Sequence, residues 1–165
     1  MKDKLVWYVA YGSNLLRERF MIYINGGRFK ANGKPYDGCK NKTPPIKDKP
    51  YLLPYELYFG NESPSWDMKG VAFIDANKEG ITLGRAYLIT EEQFLEIQSQ
   101  EGCSDKWYGH IVKIANDSEN IPYNSFTSKK RNLENNPSEK YLKIFHMGLC
   151  ETYPQLMVFN DFINF

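Results

Sequence analysis

Seven consecutive residues, Leu5-Val6-Trp7-Tyr8-Val9-Ala10-Tyr11, are apolar or aromatic without a break, and Gly12-Ser13-Asn14 follows at once. A run this rich in β-formers, with no polar alternation, reads as a strand covered on both faces. The glycine turn ends it, and Leu15 to Ile24 continues with helical spacing until Gly26-Gly27 stops the helix. The chain therefore opens as strand, tight turn, helix, and the rest of the sequence must supply layers on either side of that strand. With 165 residues, 42% of them hydrophobic and 15% aromatic, one domain spanning residues 1–165 has the material to do so.

The middle of the chain is β-rich. Strands are predicted at Tyr51–Phe59, Gly70–Asp75, Thr82–Ile89, Trp107–Ala115 and Ile121–Thr127. A short helix, Glu91 to Gln100, carries Phe94, Leu95 and Ile97 as its apolar face, and Thr90 with Gln93 forms a capping-box pattern at its start. A last helix is predicted to open at Asn136-Pro137-Ser138-Glu139, with Asn136 as cap and Tyr141, Leu142, Phe145 and Leu149 facing inward. Residues 28–50, punctuated by Pro35, Pro44, Pro45 and Pro50, form a long loop. Loops of this length are lids, binding segments or plain connections, and the plain connection is the expectation. The tail after Pro154 is expected to pack down. The pattern is a mixed α+β domain with a mostly antiparallel, barrel-like sheet and a few short helices.

Charge narrows the function. Basic and acidic residues number 21 and 20, a formal charge of +1, which argues against a nucleic-acid partner. No stretch approaches the roughly 20 apolar residues of a membrane span, and Met1-Lys2-Asp3-Lys4 carries no secretory pattern, so a cytoplasmic protein without a membrane partner is expected. The three cysteines, Cys39, Cys103 and Cys150, are widely spaced with no C-x-x-C pair, and only two histidines are present. Neither a disulfide framework nor a metal site is expected, and no nucleotide or redox cofactor is implied.

Three features could carry chemistry. Around Gly12-Ser13-Asn14, a strand giving way to a helix leaves backbone N–H groups unpaired, a seat for a small carboxylate. The plainer alternative, Ser13 or Asn14 merely capping the helix, is the commoner arrangement. Glu101, in Gln100-Glu101-Gly102, ends the short helix where the dipole disfavours negative charge. Such a carboxylate is either solvated or lifted in pKa, and in the second case it could take a proton from an amine and return it. Tyr108 and Tyr141 could orient a polar ligand, although with 12 tyrosines in the chain packing explains any one of them. A Cys103 nucleophile with His110 or His146 lacks any local signature. Lys129-Lys130-Arg131 reads as a solvated turn.

Taken together and in order, these segments resemble the γ-glutamylcyclotransferase-like family, which includes γ-glutamylcyclotransferases, γ-glutamylamine cyclotransferases and plant avirulence-induced-gene-like proteins. Tyr8-Val9-Ala10-Tyr11-Gly12-Ser13-Asn14-Leu15 is similar to the family's N-terminal signature. Gln100-Glu101-Gly102 is similar to its catalytic glutamate segment, and Tyr108 matches a family tyrosine by spacing. Residues 137–148, from Pro137 to Met147-Gly148, resemble the segment that brings a substrate-contacting tyrosine, here Tyr141. Leu57-Tyr58-Phe59-Gly60-Asn61 and Gly70-Val71-Ala72 resemble family strands, so the similarity spans residues 5–150.

The resemblance implies a barrel-like mixed sheet with helices around one cavity and a cofactor-independent reaction. In it the α-amine of a small-molecule γ-glutamyl substrate attacks its own γ-carbonyl, forming 5-oxoproline and releasing an amine. It implies Glu101 as general acid/base, with Tyr8, Val9, Ala10, Tyr11, Gly12, Ser13, Asn14, Tyr108 and Tyr141 binding substrate. It also leaves room for a homodimer. Two departures bear on the departing group rather than on cyclisation: Phe126 stands where glutathione-pathway members carry a tyrosine after Ser125, and the 28–50 loop is expanded. A non-catalytic γ-glutamyl or amino-acid binding module on the same fold is the alternative.

Overall fold

The computed structural model describes residues 3–156. The first strand, β1 (Leu5–Ala10), has Val6 through Ala10 buried, as an unalternating apolar run requires. It lies at the middle of a five-stranded sheet whose remaining members are β4 (Asp48–Ser63), β5 (Lys69–Thr90), β6 (His110–Asn116) and β7 (Pro122–Thr127), in the order β4-β5-β1-β7-β6. Only the β1–β7 pairing is parallel. The sheet does not close into a barrel, because β4 and β6 remain as two ends. Otherwise the expected α+β architecture with a mostly antiparallel sheet is what forms.

The strands expected at Gly70–Asp75 and Thr82–Ile89 are one strand, β5. Across the polar stretch between them, Ala76 to Ile81, the only pairing is of Glu79 with Tyr55 of β4. The rest of the stretch bulges out of the ladder with its side chains mostly toward water, and the Asn77 N–H donates to Asp75 Oδ1 at 3.0 Å instead of to a partner strand. Register breaks at Leu53/Tyr55, Tyr55/Glu56 and Gly60/Ser63 mark bulges in this long pair.

Helix α1 (Arg17–Asn25) starts later than the periodicity from Leu15 suggests, because Ser13–Leu15 winds into a separate 3-10 turn. Helix α2 (Glu91–Glu101) has the expected capping box between Thr90 and Gln93, but Leu95 faces outward. Helix α3 (Glu139–Thr152) is capped by Ser138, whose hydroxyl accepts the Tyr141 N–H at 3.1 Å. Asn136 is unavailable as a cap: its carbonyl accepts the Gly70 N–H at 3.0 Å, tying that segment to the edge of β5. The inward face of α3 is therefore Tyr141, Ile144, Gly148 and Thr152, and Leu142 is exposed.

The 28–50 segment is no plain connection. Two short strands, β2 (Gly27–Arg28) and β3 (Pro35–Tyr36), pair within it, and Gln93 pins its second half by donating to the Asn41 and Thr43 carbonyls. Lys129-Lys130-Arg131 is likewise not a simple solvated turn: Arg131 pairs with Asp75, Glu56 and Glu134 and lies 4.3 Å from the Tyr58 ring centroid. The expected packing of the tail from residue 157 onward concerns residues outside those described. No helix among the described residues is long and apolar enough to cross a membrane.

Candidate active site

The turn after β1 is built around close approach. A Cβ at Gly12 would stand 2.7 Å from the Tyr141 hydroxyl oxygen, so only glycine lets α3 bring that hydroxyl onto the turn. Two turns further along the same face of α3, a Cβ at Gly148 would stand 2.5 Å from the Leu16 backbone nitrogen, so glycine also lets the helix lie flush on the turn's far end. Neither Ser13 nor Asn14 caps a helix through its side chain. Both lie within the 3-10 turn Ser13–Leu15, ahead of α1, whose N-cap is Leu16. The freed side chains have other partners. Ser13 Oγ lies 3.5 Å from Arg19 Nε, while Asn14 Nδ2 donates to Glu101 Oε1 at 2.8 Å and to Tyr8 Oη at 3.1 Å.

Glu101 is therefore not a solvated helix-end carboxylate. Helix α2 packs inward through Phe94 and Ile97, and Gln98 Nε2 fixes the following loop by donating to the Tyr108 carbonyl at 2.8 Å. That docking turns the last residue of the helix toward β1. Burial lifts the Glu101 carboxyl above its ordinary value of 4.5, outweighing the Arg19 cation, the Tyr23 hydroxyl, the Asn14 amide and Lys34, all of which favour its ionised form.

Tyr108 and Tyr141 grip one residue of β5 from two sides. Tyr108 Oη donates to the Ala72 carbonyl at 2.9 Å, and the Ala72 N–H donates to Tyr141 Oη at 3.1 Å. Tyr141 accepts there and keeps its own proton to donate. Burial pushes the Tyr8, Tyr11, Tyr108 and Tyr141 hydroxyls upward, which keeps them neutral donors near neutral pH. Phe126 stacks on Tyr8 at 5.2 Å between centroids, and its carbonyl accepts the Tyr11 hydroxyl at 2.7 Å.

These residues meet in a cavity of two parts. An inner chamber of about 30 Å³ is lined by Tyr8, Tyr11, Gly12, Ser13, Asn14 and Glu101, with Ala72, Tyr108, Phe126 and Tyr141. Ser13, Glu101, Tyr108 and Tyr141 also line an outer chamber of about 610 Å³, a size suited to a small molecule. Of the candidates from sequence, Val9 and Ala10 line neither. They belong to the core of β1, where the Val9 carbonyl accepts Ser125 Oγ at 2.7 Å. Cys103 is exposed, and the nearest thiol–imidazole approach is between Cys150 and His146 on α3, at 3.5 Å. Among the described residues no three His, Cys, Asp or Glu side chains gather as a metal site would require.

Sequence reasoning missed the outer wall: Arg19 and Tyr23 from α1, Asn32, Lys34 and Tyr36 from the long loop, and Trp66. The available signal was position. Arg19, Phe20 and Tyr23 share the inward face of α1, so an arginine there is buried by helical spacing alone.

Fold and cavity together define an α+β protein of the γ-glutamyl cyclotransferase fold. A solved γ-glutamyl cyclotransferase superposes with a TM-score of 0.64 at 24% identity, covering 90% of this chain and 80% of that one. An uncharacterized human protein matches with a TM-score of 0.64 at 24% identity, over 92% of this chain and 82% of its own. YkqA from Bacillus subtilis matches with a TM-score of 0.58 at 17% identity, over 93% of this chain and 53% of its own. By sequence, 99 residues, 58% of the chain, are 40% identical to part of histone deacetylase 5 from Arabidopsis thaliana, a protein of which the chain spans only 15%. No family model matches the sequence.

Proposed function

We propose that this protein is a γ-glutamyl cyclotransferase-type enzyme, converting the γ-glutamyl group of a small amide or peptide to 5-oxoproline. The observation that carries the reading is a carboxyl group held above its usual pKa and facing the Gly12–Asn14 turn across one inner chamber. Both reactants lie in one substrate molecule, so orientation supplies much of the rate, up to about 7–11 kcal/mol in ideal cases.

In this reading the turn's backbone N–H groups hold the glutamyl α-carboxylate. Glu101 takes a proton from the α-ammonium, and the freed amine nitrogen attacks the γ-carbonyl carbon. Tyr141 donates to the carbonyl oxygen as negative charge develops there. The new C–N bond closes the five-membered lactam, Glu101 returns its proton to the departing nitrogen as the original amide C–N bond breaks, and the second proton of the ring nitrogen passes to the released amine, which leaves as an ammonium. Atoms balance without a cofactor. Asn14 keeps the Glu101 carboxyl aimed through its 2.8 Å hydrogen bond.

The test is a panel of γ-glutamyl amino acids and γ-glutamylamines, with 5-oxoproline and free amine measured together. Stoichiometric release of both is expected. Calorimetric binding of these compounds with no lactam formed would mark a binding module instead.

A further inference from the structure

The outer chamber holds a charge that the proposed chemistry does not use. Arg19 is 3% exposed, yet among the described residues it has no carboxylate within ion-pair distance. Its Nη2 donates to the Tyr23 and Tyr36 hydroxyls at 2.8 Å each, and its Nε lies 3.5 Å from Ser13 Oγ. Nη1 is buried and has no hydrogen-bond partner among the described residues. The guanidinium carbon lies 4.7, 4.9 and 4.6 Å from the ring centroids of Tyr23, Phe29 and Tyr36, and 5.9 Å from that of Trp66. Rings hold a cation in place without neutralising it. A buried cation lacking a counter-ion is costly unless something supplies one.

Lys34 reinforces it, its ammonium 5.3 Å from the Tyr36 ring centroid at the same wall. The charged residues lining the outer chamber are then Arg19, Lys34 and Glu101, and Glu101 sits where the two chambers join. The hydroxyls of Tyr36 and Ser13 accept from Arg19 and still have their own protons to donate into the chamber, while the Tyr23 hydroxyl, which also accepts from Arg19, turns its proton toward Glu101.

We infer that Arg19, with these hydroxyls and Lys34, is the specificity-determining site for a carboxylate on the departing group, so that the preferred substrate is a γ-glutamyl amino acid or peptide rather than a γ-glutamyl alkylamine. The inference rests on the cyclotransferase reading. With the glutamyl end at the Glu101 junction, the departing group extends into the outer chamber, where the cations are.

A matched pair tests it: γ-glutamylalanine and γ-glutamylethylamine differ only by the carboxylate. The protein should favour γ-glutamylalanine in kcat/KM by about tenfold or more, the usual range for losing a hydrogen bond to a charged group. Arg19→Met should lower kcat/KM for γ-glutamylalanine about tenfold more than for γ-glutamylethylamine, and added free alanine should inhibit it less. Lys34→Met, at an exposed position that leaves folding intact, should narrow the preference a few-fold, most clearly at low salt; it decides the matter if Arg19→Met fails to fold. Equal kcat/KM for the two compounds, or an equal fall for both in Arg19→Met, overturns the inference while leaving cyclisation standing. No 5-oxoproline from either compound overturns the cyclotransferase reading itself.

Discussion

Replacing Glu101 by glutamine separates chemistry from folding, because the structure gives the two effects opposite signs. Glutamine keeps the shape and leaves an acceptor for Asn14 Nδ2, which now reaches Oε1 at 2.8 Å. It cannot take a proton from an ammonium, so turnover should fall by about 10²–10⁴, the usual contribution of a positioned acid or base. Stability should move the other way. The folded-state pKa of Glu101 is raised by burial, so the folded chain holds this proton over a pH range in which the unfolded chain has released it. Wild-type stability is therefore full below the ordinary carboxylate pKa, is lost as pH rises through the elevated one, and stays lower above it. Each pH unit of elevation amounts to about 1.4 kcal/mol. Glu101→Gln escapes that penalty and should melt at or above the wild-type temperature near pH 8, with the advantage vanishing near pH 4. The same elevation should place the acidic limb of the wild-type kcat/KM profile above 4.5, since the ionised carboxylate is the form that accepts the proton. The assays are 5-oxoproline release and thermal melts at both pH values. Turnover above about a tenth of wild type, far outside the loss expected of a general base, would refute the assigned role. A variant several degrees less stable near pH 8 would refute the electrostatic argument.

Three further outcomes follow from the packing. Arg85→Met should cost about 3 kcal/mol, the lower end for a broken buried pair because Asp48 and Glu151 keep some access to water; a melting point lower by about 6–12 °C checks it. Gly148→Ala should cost about 1–3 kcal/mol, because its Cβ would press on the Leu16 nitrogen and on Leu15; chemical denaturation reads the loss, and turnover should fall with it as the turn carrying Ser13 is displaced. Thiol labelling of the native protein should modify Cys103 first and Cys39 only on unfolding, since the Cys39 thiol is buried and pushed up to about 12, and Cys103→Ser should leave turnover unchanged.

What could be read from the sequence was whatever local chemistry decides. The capping box at Thr90 and Gln93 and the two-faced burial of Leu5–Ala10 need only neighbouring residues to be understood. The errors arose where a distant segment took over. Asn136 is a good cap by composition, but its carbonyl was already committed to Gly70, and Ser138 capped instead. Gly70–Asp75 and Thr82–Ile89 look like two strands until β4, pairing with both across a bulge, makes them one. At the site, base rates favoured a capping Ser13 or Asn14 and a solvated Glu101. The order of motifs along the chain gave the better guide to their meeting, but it was silent on Arg19, whose surroundings come from α1, the long loop and the 3-10 turn at Pro64–Trp66.

The placement of Arg19 and Glu101 makes more sense as half of a charge pattern than as an ion pair. Arg19 lowers the Glu101 pKa electrostatically, so the two groups sense each other, yet no direct bond joins them: Arg19 Nη1 is left without a partner among the described residues, and the Glu101 carboxyl is held above its ordinary pKa by burial. A chain selected only for stability would bond them or replace them with apolar side chains, since unpaired buried charge is among the costliest features a core can hold. Under the cyclotransferase reading the missing half is the substrate, whose ammonium faces Glu101 and whose far carboxylate faces Arg19. Binding then relieves two desolvation penalties at once, and a ligand that binds only the folded chain at 100 times its dissociation constant should add about 2.7 kcal/mol to stability. Comparing the melting-point rise from γ-glutamylalanine with that from γ-glutamylethylamine in Glu101→Gln, where no turnover consumes the ligand, isolates the Arg19 end. A larger rise with the carboxylate-bearing compound is the expected result, and equal rises under saturation matched to the same free concentration would show that the outer charge has no part in recognition.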